Sequence, residues 1–122
     1  MNRVVHFEIG AVDTARAVNF YRTVFGWEAQ QWGGPMEYWL MKTGAAPEPG
    51  IDGAILRNMD SAPRIVNSIG VSSVDEYAAK VESNGGKVVV PKMSIPKVGF
   101  LVYCQDTEGN IFGIFQADAS AS

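Results

Sequence analysis

Apolar and polar residues alternate from Val4 to Ile9. Val5, Phe7 and Ile9 fall on one side and His6 and Glu8 on the other, which predicts a half-buried strand. The period then changes. Ala17, Phe20, Tyr21 and Val24 recur at helical spacing, Asp13 stands at a capping position, and Gly26 stands where a left-handed residue closes a helix near Phe25. Clusters of aromatic and aliphatic residues predict further strands over Trp27 to Trp32, Tyr38 to Lys42 and Ala54 to Arg57. Gly33-Gly34-Pro35 and the breaker-rich stretch from Gly44 to Gly53 separate them. The order is βαβββ.

From Asn58 to Pro63 there are turn formers and no apolar period, so a boundary is expected between a module of about residues 1–60 and one of about 61–122. The pattern then repeats. Ile65 to Val71 reads as a strand, and Ser73 with Glu76 forms a capping box for a helix bearing Val74, Tyr77, Ala78 and Val81, which Gly85 and Gly86 end. Lys87 to Val90, Gly99 to Cys104 and Ile111 to Phe115 complete a second βαβββ set, with a Pro-bearing loop expected from Pro91 to Pro96 and a turn at Asp106-Thr107-Glu108-Gly109. Val12-Asp13 and Val74-Asp75 lie 62 positions apart, while Gly26 and Gly86, like Gly53 and Gly113, lie 60 apart. An internal duplication explains the shared order, caps and terminating glycines; chance likeness of short βα patterns is the rival explanation.

Composition narrows the functional classes. A chain of 122 residues with 47% hydrophobic and 19% charged residues is expected to form one globular domain. The net charge is -3 and the Lys and Arg residues are scattered, so no basic stripe offers itself to nucleic acid. No apolar run approaches the roughly 18 residues of a membrane span, and the start lacks a secretory apolar core, so a cytoplasmic protein is expected. Cys104 is the only cysteine, which excludes an internal disulfide and agrees with a reducing compartment.

Three groups of residues carry a family likeness. They are Val5-His6-Phe7-Glu8-Ile9; Asp13 followed by Asn19-Phe20-Tyr21-Arg22-Thr23-Val24-Phe25-Gly26-Trp27; and Asn84-Gly85-Gly86-Lys87-Val88 with Asp106-Thr107-Glu108-Gly109-Asn110. In these the chain resembles the vicinal-oxygen-chelate superfamily, which includes glyoxalase I, extradiol dioxygenases, fosfomycin-resistance enzymes and bleomycin-binding proteins. It is most similar to the short glyoxalase-like branch. The resemblance implies an α+β fold in which two tandem βαβββ modules form curled mixed sheets around a shared cavity, each helix covering the outer face of its own sheet.

It also implies one divalent metal held by His and Glu side chains from the first and last strands of each module. His6 matches the first position. The corresponding position in the second module is Ser68 or Ile69, and the two last-strand positions are Gly53 and Gly113, none of which replaces an imidazole or carboxylate. The family's full metal site is therefore not expected, and His6 is left as a lone metal ligand or a general base, with Glu8 as its partner. A plain hydrogen-bonded His–Glu pair is the competing reading.

Trp32, Tyr38, Trp39, Phe100 and Tyr103 are aromatic candidates for lining the cavity, although burial against helices explains an aromatic equally well. Arg57 and Lys97 are candidates for an anionic group, and the Pro91 to Pro96 loop for a cover over the cavity mouth. Cys104 reads as a small buried hydrophobe, and Asp106 and Glu108 as turn formers. The expected function is small-molecule binding without the usual metal. The alternative is a lyase, isomerase or oxygenase acting on a small oxygenated substrate through His6. Open sheet edges allow a homodimer.

Overall fold

The structure, a computed structural model, describes residues 1–33, 37–58 and 64–122. Among them are β1 (Val4–Ala11), α1 (Thr14–Phe25), β2 (Glu28–Gln31), β3 (Tyr38–Lys42) and β4 (Gly53–Arg57). There follow β5 (Ile65–Gly70), α2 (Val74–Ser83), β6 (Lys87–Ile95), β7 (Gly99–Gln105) and β8 (Ile111–Ala117). The α+β class and the repeated βαβββ order agree with the sequence pattern. Of the predicted breakers, Gly34, Pro35 and residues 59–63 lie outside the described residues. No described helix is long and apolar enough to cross a membrane.

The chain parts into two compact units, one of His6–Val66 and one of Met1–Val5 with Asn67–Ser122. In the first, the strands run in the order β2-β3-β4-β1, with β1 and β4 parallel and the other pairs antiparallel. The second has the order β5-β8-β7-β6, again with its first and last strands, β5 and β8, parallel. Parallel neighbours cannot be joined by a tight hairpin, so each module carries a longer connection that includes a helix.

Both helices begin and end where their caps allow. Asp13 Oδ1 accepts from Arg16 N at 3.0 Å, and Gly26 closes α1 at φ 74, a left-handed backbone that suits a residue without Cβ. Ser73 Oγ accepts from Glu76 N at 3.2 Å to start α2, and Gly85 takes the left-handed turn after it at φ 95. In α2, Val74, Tyr77, Ala78 and Val81 pack with Val71, Val102, Cys104 and Ile114, as their spacing predicts. The core stripe of α1 is rotated from the expected one. Ala17, Val18 and Tyr21 face Ala11, Met41 and Ile55, whereas Phe20 and Val24 are each 54% exposed. Both choices satisfy a 3.6-residue period, and only the position of the sheet selects between them.

The expected loop from Pro91 to Pro96 is corrected: β6 runs through Pro91 to Ile95, and a turn occupies only the next three residues. Register shifts flank Val90, and β6 is the last strand of its unit's order, so Pro91 costs no essential ladder bond. The segment is paired strand and carries no cover. Lys97 sits in the β6–β7 turn at φ 65, with its N–H on Ala121 O at 2.8 Å.

Candidate functional site

Strand register decides which side chains share a face. In the first unit Ile9 pairs with Ile55, Ile55 with Trp39, and Met41 with Ala29, and this set packs on α1. Alternation puts His6, Glu8, Gln30, Tyr38, Leu40, Lys42, Asp52 and Ala54 on the other face. One line across the four strands reads Glu8, Ala54, Leu40 and Gln30; beside it Lys42 pairs with Glu28, and His6 and Asp52 line the same depression as that pair. A depression of about 590 Å³ is lined there by His6, Gln30, Leu40, Lys42 and Asp52, with neighbours including Glu28.

At its edge three predicted residues meet. Tyr38 donates its phenol proton to Glu8 Oε2 at 3.0 Å, and the Tyr38 hydroxyl oxygen lies 3.1 Å from His6 Nε2. Glu8 is only 5% exposed, so the phenol supplies a bond that a buried carboxylate needs. Trp32 packs edge-on against Tyr38, with ring centres 5.8 Å apart, and steadies the phenol. Burial pushes the Tyr38 phenol far above its ordinary value, and the adjacent Glu8 carboxylate pushes the same way.

Burial lowers the His6 pKa below its usual 6.5, although Glu8 and Asp52 pull it up. A histidine that resists protonation when folded makes the unfolded chain the better proton acceptor in acid. Stability is therefore expected to fall as pH drops below about 6.5 towards the folded pKa, and His6→Gln to flatten that part of the curve. Urea midpoints of both proteins between pH 5 and pH 8 provide the check.

Other predicted residues lie elsewhere. Trp39 and Arg57 have helix-face parity. Trp39 Nε1 donates to Thr14 Oγ1 at 3.3 Å, Thr14 donates to Glu37, and Arg57 pairs with Glu37 at 3.8 Å. Phe100 packs in the α2 core beneath the Lys92 ammonium, which is 4.6 Å from its ring centre. Tyr103 pairs with Gly113 on the opposite face of the second unit, the face that also carries Ser68. Cys104 is fully buried.

The metal-site positions separate by the same parity. Ser68 pairs with Gly113, whereas Ile69 is in the core, so Ser68 is the residue in the ligand position of the second unit. Gly53 pairs with Phe7 on the helix side, and a Cβ there would lie 2.5 Å from the Phe7 ring. The β4 residue on the His6 face is instead Ala54, beside Glu8. A Cβ on Gly113 would lie 2.7 Å from Ser68 Oγ. These residues do not fit the four-ligand centre, and among the described residues no three His, Cys, Asp or Glu side chains converge to hold an ion.

Asp52 is the residue that sequence reasoning missed. It lies in the breaker-rich stretch before β4, where its Oδ1 accepts from Thr43 N at 2.9 Å, and only the folded arrangement brings it to the depression that His6 lines. Lys42 and Gln30 join the face in the same way.

Residues 3–44 match a family described as bleomycin resistance protein-like N-terminal. A glyoxylase-like domain-containing protein of Didymella fabae is 32% identical over 113 residues, covering 88% of each chain. Among solved structures, a Streptomyces coelicolor methylmalonyl-CoA epimerase variant bound to 2-nitronate-propionyl-CoA aligns at TM-score 0.75 and 19% identity, over 100% of this chain and 99% of that one. A glyoxalase/bleomycin resistance protein/dioxygenase superfamily member from Vibrio splendidus 12B01 aligns at TM-score 0.68 and 15% identity, over 97% and 100%. At these identities the solved structures speak for the fold alone. The curated relative, similar along most of its length, shows the rest: the chain belongs to the glyoxalase-like family of the vicinal-oxygen-chelate superfamily.

Proposed function

We propose that the protein binds a small oxygenated organic molecule on the His6 face of its first unit, without the four-ligand metal centre of its superfamily. One observation carries this reading. The sole imidazole uses Nε2 on Tyr38, and Tyr38 ties it to Glu8, so these groups form a hydrogen-bonded chain at the edge of a depression and do not converge on an ion. Epimerases that share the fold are solved with methylmalonyl-CoA and with 2-nitronate-propionyl-CoA, which supports a small-molecule ligand for this chain too. A cytoplasmic setting, for which the lone buried thiol is favourable, and a homodimer belong to the same proposal.

A second reading makes His6 a general base for a lyase, isomerase or oxygenase reaction. It is favoured by the lowered His6 pKa, which keeps the ring neutral and able to take a proton near pH 7.

A thermal-shift screen of small oxygenated metabolites, run with and without Ni, Zn, Mn and Fe, tests the binding reading. A ligand at a hundred times its Kd adds about 2.7 kcal/mol to stability, whether or not metal is present. The ligand shift is expected to vanish in His6→Ala. A rise in Tm with any of these metals at stoichiometric concentration would refute the metal-free site. Unchanged ligand affinity in His6→Ala would move the ligand off the His6 face.

A further inference from the structure

The reading of the His6 face as the binding face leaves open which imidazole nitrogen meets the ligand and what that nitrogen asks for. Tyr38 has one phenol proton, and it is directed at Glu8 Oε2. The Tyr38 hydroxyl oxygen also lies 3.1 Å from His6 Nε2, and an oxygen whose proton is already used can only accept there. Nε2 must then carry hydrogen. In a neutral imidazole the other nitrogen, Nδ1, is bare.

Burial gives the independent support. Among the described residues His6 makes no other hydrogen bond, and no buried side-chain nitrogen or oxygen lacks a partner. Nδ1, having no partner, must therefore reach the surface, on a ring that lines the depression. Reversing the chain would turn the phenol proton away from a 95% buried carboxylate, which has no hydrogen of its own to return, and towards a neutral nitrogen. Hydrogen bonds to ionised acceptors are about twice as strong as neutral ones, so the direction from His6 through Tyr38 to Glu8 is favoured.

We infer that Tyr38 is a positioning residue that, by donating to Glu8 and accepting from Nε2, fixes His6 in the tautomer with a bare Nδ1, so the ligand must present a proton donor to this face. Suitable donors are a hydroxyl, an ammonium or an acidic C–H; a group that only accepts hydrogen bonds finds no partner on the ring. Trp32 serves the same end by packing on the Tyr38 ring.

His6 is the only histidine in the chain, so its ring nitrogens can be read without interference by long-range 1H–15N correlation of protein labelled at the histidine ring. At pH 8, above the ordinary histidine range, the wild type is expected to show the Nε2–H form in at least tenfold excess. Tyr38→Phe keeps the ring and removes the oxygen, and it should lower that ratio by threefold or more. Glu8→Gln offers the phenol an amide that both donates and accepts, and it should shift the ratio the same way, serving as the test if Tyr38→Phe fails to fold. An Nδ1–H form dominant in the wild type, or a ratio unmoved in a folded variant, overturns the inference. Neither result depends on ligand, so failure here is distinct from failure of the thermal-shift screen.

Discussion

Gly53→Glu, which puts a carboxylate where the sequence pattern alone assigns a metal ligand, is expected to cost about 3 kcal/mol or more and to confer no affinity for Ni or Zn. Its Cβ would lie 2.5 Å from the Phe7 ring, a distance that forces the aromatic or the strand to move. Phe7 packs on Trp27, whose ring stacks on Tyr21 of α1 at 4.9 Å, so a displaced Phe7 disturbs the core. The new carboxylate would also enter the helix side, on the opposite face from His6. Urea unfolding and metal titration by calorimetry measure the two effects. A stable variant that bound metal through His6 would contradict the strand parity assigned to β1 and β4. Gly113→Glu should be milder, because the nearest obstacle, Ser68 Oγ at 2.7 Å, lies on a short side chain that can rotate.

Ile55→Ala is expected to remove about 2–5 kcal/mol of stability, the range for truncating a fully buried aliphatic side chain. Ile55 is 0% exposed and packs with Val18, Met41 and Trp39, so the cavity it leaves is walled by α1 and β3 and has little room to collapse. Its strand also carries Ala54, the neighbour of Glu8 on the opposite face. Loss of stability should therefore come with loosening of the His6–Tyr38–Glu8 chain. The urea midpoint is expected to fall with little change in slope. A cost below 1 kcal/mol would mean that α1 does not cover this strand.

Much of the fold was legible because its signals are local. Asp13, Gly26, Ser73 and Gly85 act on backbone groups within one turn of themselves, so their effect needs no knowledge of the rest of the chain. Strand alternation likewise placed His6 and Glu8 on one face from six residues of sequence. The local signals failed where two answers were equally good locally. Pro91 reads as a loop former unless its strand is known to be the last of its unit, and α1 has two apolar stripes unless the sheet is known to meet Val18.

The candidate site was legible in its residue types and hidden in its arrangement. A lone His beside a Glu, with a Tyr among the aromatic candidates, was visible from the chain alone. That Tyr38 bridges the other two follows from a separation of 30 and 32 positions closed by sheet pairing.

The two βαβββ modules, the helix ends, the family and the lack of imidazole or carboxylate at Ser68 and Gly113 are legible along the chain, since each is a matter of local chemistry or of which residue is present. Sheet pairing was needed to bring Tyr38 and Asp52 to His6, to set Trp39 and Arg57 on the other face, and to lay Gly53 against Phe7. The physical reason is register. A shift of one residue between paired strands moves every side chain to the opposite face, and nothing within a single strand records which partner residue it meets.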